Sequence, residues 1–198
     1  MSLWAPVVLI TATAGTAVVM GALVASQLPR LALPLALGIT ILLDLCFCAA
    51  RWNQPGVANG LVVLAAIPLS AWLATLVETR AALAAALLVA STMEVAAAFG
   101  GTLSARAEGS PPYDPARVLV LMLPARSPPM ALLSVVDLAL TAMCVLVARR
   151  LDAARRVFYV AGLAALLLVV FCERVLGLHL AHMPIVTGVL LLVLAWFR

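Results

Sequence analysis

Long apolar runs, each close to 20 residues, follow one another along this chain with only short polar interruptions between them. Runs of that length match the thickness of a bilayer core when they are wound as helices, at about 1.5 Å per residue. Seven spans can be drawn on this pattern, at about 3–27, 31–50, 57–77, 81–100, 129–148, 157–175 and 178–197. Pro29-Arg30, the segment RWNQPG (51–56) and Glu78-Thr79-Arg80 punctuate the first four, and a polar patch around Glu173, Arg174 and His179 divides the last two. The one substantial polar loop, 101–117, reads GTLSARAEGSPPYDPAR and is rich in Gly, Pro, Ser and charge. The apolar piece VLVLMLP that follows it is too short to span as a helix, and its β-branched content predicts a short strand or re-entrant segment.

The predicted fold class is therefore all-α: a polytopic transmembrane helical bundle forming one transmembrane domain over residues 1–198, with no internal repeat and no soluble domain. Composition agrees with it. Hydrophobic residues make up 66% of the chain and charged residues 10%, which leaves too little polar surface to cover a water-soluble globule. Short alternating segments of a transmembrane barrel are not seen.

Charge then sets the expected orientation. The net charge of +4 is carried by arginine alone, because the chain has no lysine, and in a membrane protein this reports topology rather than nucleic-acid binding. The connection RRLDAARR (149–156) holds four arginines and is expected in the cytoplasm, which puts the N-terminus outside and the C-terminus inside. The N-terminal MSLWAPVVLI has no positively charged start and no small-residue cleavage site, so it is expected to be a retained first span. Trp4, Trp52 and Trp196 fall near span ends, where they serve as interface anchors. The four cysteines (Cys46, Cys48, Cys144 and Cys172) fall inside spans and are expected to pack as free, buried thiols.

Candidate chemistry rests on carboxylates. A charge inside a span costs on the order of 2.5–3.5 kcal/mol on insertion scales, so each one asks for a reason. Asp44, Glu94 and Asp137 are the three deep ones; Glu78, Asp152 and Glu173 have interfacial or paired settings. Helical rise puts Glu94 about 9 Å and Asp137 about 12 Å from one membrane face, so the two can meet if their spans are antiparallel neighbours. Two carboxyls held together in a low-dielectric site share one proton and can act as base and acid around one water. The structural alternative is that each is neutral and bonds a neighbouring helix. His179 and His182, three apart, could share one helix face but read as interfacial histidines, because no further ligand-type residue is expected to cluster near them. No metal and no cofactor are called for, and serine-hydrolase, zinc-protease and nucleotide-binding motifs are absent.

From Glu94 to Gly188 the order of features resembles the catalytic half of the presenilin and signal peptide peptidase family, in particular its shorter archaeal presenilin-like members. MEVAAAFGGTLSARAEG (93–109) stands where that family has its first catalytic span and loop, and RVLVLMLP (117–124) where it has a short extended piece. MALLSVVDLAL (130–140) stands at its GxGD motif and HMPIVTG (182–188) at its PAL motif. Glu94 replaces the first aspartate, Ser134 and Val136 replace the glycines of GxGD, and His182-Met183-Pro184 keeps only the proline of PAL. The family has nine spans, so two would be missing here or supplied by a partner chain.

The resemblance implies an intramembrane aspartyl-type protease. Asp137 and Glu94 would be the catalytic carboxyls, His182, Met183 and Pro184 would hold the substrate, and a transmembrane helix would be the substrate or partner. A cytoplasmic loop after the second catalytic span implies the signal peptide peptidase direction. Two other readings stand beside it: a catalytically inactive relative that binds transmembrane helices, and a transporter or membrane-complex subunit with Asp44, Glu94 and Asp137 as a proton path, in which Asp44 could also replace Glu94.

Overall fold

A computed structural model describes residues 4–49, 55–99, 120–123, 130–151, 155–175 and 182–196. The polar loop 101–117, the PPYDP turn and His179 lie outside them, as do the side chains of Cys48, Glu173 and Arg174. The described chain forms seven helices and one small sheet: α1 (Trp4–Ala25), α2 (Ala32–Ala49), α3 (Pro55–Leu76), α4 (Arg80–Phe99), β1 (Val120–Leu123), β2 (Met130–Ser134), α5 (Val135–Arg150), α6 (Arg155–Val175) and α7 (His182–Trp196).

Six of the helices lie within a few residues of the spans drawn from hydropathy. The fifth does not. Residues Met130–Ser134, expected as the first turn and more of that span, pair as a strand with β1, and the helix starts only at Val135. The pairing is antiparallel, from Val120 opposite Ser134 to Leu123 opposite Met130, with an irregularity between Leu121 and Met122. The bundle is therefore helical with one two-stranded sheet, and the strand foreseen in VLVLMLP is β1.

Local sequence explains the helix ends. Pro55 opens α3 at a position where a missing N–H costs nothing, and the Thr79 hydroxyl accepts the Ala82 N–H at 3.1 Å to cap α4. Arg149 and Arg150 close α5, where positive charge complements the exposed carbonyls. The Arg150 guanidinium also donates to the Ala74 carbonyl near the end of α3, satisfying an acceptor that the helix itself leaves open.

At the centre stands α5. Every residue from Asp137 to Ala148 is buried, enclosed by α1, α3 and α6, with α7 and α4 closing the remaining side. Close approach needs small residues: a Cβ on Gly162 of α6 would run into Thr141 Cγ2 of α5, and one on Gly21 of α1 into Ile67 of α3. A Thr16 hydroxyl to Tyr159 hydroxyl bond of 2.8 Å ties α1 to α6. The outer helix α2 packs on α3 and turns Leu35, Ile39, Leu42 and Leu43 outward.

Among the described residues, three helices, over Ala5–Ala25, Gly56–Leu76 and Arg155–Cys172, are long and apolar enough to cross a membrane. Ala32–Cys46 and His182–Trp196 are shorter apolar helices. Of the thiols, Cys144 is buried and Cys172 half-buried, but Cys46 is exposed, against the expectation that it packs inside, because it shares a helix face with the exposed Leu35, Ile39 and Leu42.

Candidate functional site

Three elements deliver one side chain each to the same point: Glu94 from α4, Asp137 from α5 and His182 from α7. One ligand-type atom from each lies within 4.8 Å of the others.

Asp137 sits in the first turn of α5, three residues past the N-cap Ser134, not about two turns into a span as its sequence position suggested. A capping box holds it there. Ser134 N donates to Asp137 Oδ2 at 2.8 Å and the Ser134 hydroxyl donates to the same oxygen at 2.9 Å. In return, Asp137 N donates to the Ser134 hydroxyl oxygen at 3.2 Å. The sequence signal is S-x-x-D ahead of an apolar run, which the resemblance to GxGD overshadowed. Asp137 is 2% exposed, and its backbone carbonyl accepts the Thr141 hydroxyl at 2.9 Å.

Glu94 reaches the start of α7. Its Oε1 accepts the His182 N–H at 3.0 Å, and its Oε2 accepts the Met183 N–H. Helix starts leave their first four N–H groups without intrahelical partners. In α7, Glu94 takes two of them, and Pro184 has no N–H to satisfy. Seven residues further down α4, the Leu87 carbonyl accepts the Thr187 hydroxyl at 3.1 Å, so α4 and α7 are antiparallel and tied at two levels. The glutamate and aspartate meet by this route: α4 packs chiefly on α7 and only slightly on α5, so their meeting does not depend on the two helices being close neighbours.

His182 adds the third group. Its Nδ1 lies 3.5 Å from Asp137 Oδ2. The expectation that no ligand-type residues cluster near this histidine is thus overturned, because both carboxylates come from distant segments. Met183 is buried and its N–H is taken by Glu94, so of the three residues expected to hold substrate, Pro184 and the His182 side chain are the more accessible. Asp44 is buried at 2% exposure on α2 but is not one of the gathered side chains.

No family model, curated protein or solved structure matches the chain.

Proposed function

We propose that the protein is a membrane-embedded hydrolase of the aspartyl type, cutting the backbone of transmembrane segments, with Glu94 and Asp137 as the carboxyl pair. The observation that carries this reading is the convergence of the two carboxylates from separate helices at one end of an apolar bundle, within 4.8 Å of one another's ligand atoms and of His182. The seven helices are read as seven spans, with the N-terminus outside, and the core as presenilin-like; the element order α4, strand, α5, α6, α7 supports that reading.

One carboxyl would be ionised and the other protonated. The carboxylate removes a proton from water, the water oxygen attacks the scissile carbonyl carbon, and the protonated carboxyl gives its proton to the carbonyl oxygen. Collapse of that gem-diol breaks the C–N bond: the amine leaves with the proton first taken from water, and one diol hydroxyl returns its proton to the second carboxyl as the C=O re-forms. The sheet supports a way to present the substrate. Ser134, the last residue of β2, is also the cap that fixes Asp137, so a segment added as a strand along β1 would run toward the carboxyls.

The full chain, reconstituted in liposomes with a membrane-spanning peptide, is expected to release two fragments. Glu94→Gln and Asp137→Asn are each expected to abolish them. Peptide bound but left whole by the wild-type protein overturns the reading. That outcome favours the second one, a silent helix-binding relative in which both carboxylates act only as helix caps, which their hydrogen bonds to Ser134, His182 and Met183 support.

A further inference from the structure

We infer that Glu94, Asp137 and His182 form a binding site for one divalent transition-metal ion of the zinc class. Two carboxylates and one imidazole are the donor types such ions take, with a fourth position left for water. The spacing fits as well. Zinc–nitrogen and zinc–oxygen bonds of about 2.0–2.2 Å set neighbouring ligands about 3.4 Å apart in a tetrahedron and at most about 4.3 Å apart in any geometry. His182 Nδ1 and Asp137 Oδ2 are 3.5 Å apart, longer than a good N–H to oxygen hydrogen bond and close to a coordination edge. The full set lies within 4.8 Å, near enough for a small side-chain rotation to close it on one ion.

Both carboxylates are already oriented by neighbours, as metal ligands are. Ser134 holds Asp137 from one side, and the His182 and Met183 backbones hold Glu94. Charge points the same way. Among the described arginines, Arg80, which opens α4, is about 21 Å along the helix from Glu94, and Arg149 and Arg150 stand at the far end of α5 from Asp137. A divalent cation would balance two carboxylates that lie in an apolar setting. An ion held there occupies the space of the catalytic water, so it would block the carboxyl pair. The metal site itself stands apart from the hydrolase reading, because the ion needs only the three side chains.

The test is zinc uptake by the purified full chain in detergent, in competition with a chromophoric chelator. Wild type is expected to bind one zinc per chain, undisplaced by excess magnesium. His182→Ala is expected to weaken binding about tenfold or more, since even second-layer losses cost that much. The exposed Glu78→Gln is expected to change nothing. His182→Ala keeps the cap of α7, because Glu94 accepts the His182 backbone N–H rather than the ring. His182→Gln checks this with a polar side chain in place, read by the loss of the visible band of bound cobalt. No zinc uptake by wild type, or equal uptake by wild type and both His182 variants, overturns the inference. Peptide cleavage assayed with a chelator and with added zinc separates the two ideas: cleavage without zinc binding leaves the hydrolase reading standing, and zinc binding without cleavage leaves the metal site standing.

Discussion

Asp137 carries two burdens at once, and substitutions can pull them apart. As a cap it accepts two hydrogen bonds from Ser134 at the point where strand becomes helix. Asparagine retains an acceptor oxygen of the same reach, and alanine retains none. Asp137→Ala is therefore expected to lower stability by about 1–3 kcal/mol, and Asp137→Asn by clearly less, in thermal unfolding of the detergent-solubilised protein. On the hydrolase reading, cleavage is expected to be lost in both. An Asp137→Asn protein that unfolds as readily as Asp137→Ala would mean that the negative charge, not the acceptor geometry, holds the turn. Ser134→Ala removes the other half of the box and is expected to cost about 0.5–2 kcal/mol. The S-x-x-D pattern was legible in the sequence, and so was the isolation of Glu94 and Asp137 among apolar residues. The partners of Glu94 were not, because they are backbone N–H groups of α7, and backbone groups leave no mark on composition or spacing.

Between elements, two joints hold the helices that carry the site, one against α5 and one between α4 and α7. Gly162 lets α6 lie against Thr141, whose hydroxyl bonds the Asp137 carbonyl one turn from the site. Gly162→Ala is expected to destabilise by about 1–3 kcal/mol through overpacking. Thr141→Ser deletes the Cγ2 that the new methyl would strike while keeping the hydroxyl, so the double variant should recover most of the loss. Additive losses in that pair, read by thermal unfolding, would mean that the clash is not the cause. Thr187→Val tests the second tie between α4 and α7 and is expected to cost about 1 kcal/mol. Six helices were legible because each apolar run has its own polar boundary. The start of α5 was not, because MALLS is as apolar as the span it precedes, and a short apolar run reads equally as strand or helix. Only pairing with β1, a contact across the chain, decides it.

At the scale of the whole molecule, the site and the arginine-rich connection lie at opposite ends of the bundle. Asp137 opens α5, and Arg149 and Arg150 close it. Glu94 lies toward the end of α4, and His182 opens α7, so all three site residues share the end remote from those arginines. Positive charge in short loops is retained on the cytoplasmic side, so on the proposed orientation the site would lie nearer the outer face of the membrane. The expected result is checked by single cysteines introduced into a cysteine-free protein in intact cells. A cysteine at position 108 should react with a membrane-impermeant maleimide from outside, and one at position 152 only after the membrane is opened. Cys46, restored alone, should resist the reagent in both conditions, because the exposed face of α2 that carries it is lined by Leu35, Ile39 and Leu42 and would look into lipid. Labelling of positions 108 and 152 from the same side would remove one crossing between them and break the seven-span reading. It would also undo the proposed substrate direction, since on the hydrolase reading a substrate threaded past Asp137 would take its polarity from the way α5 crosses the membrane.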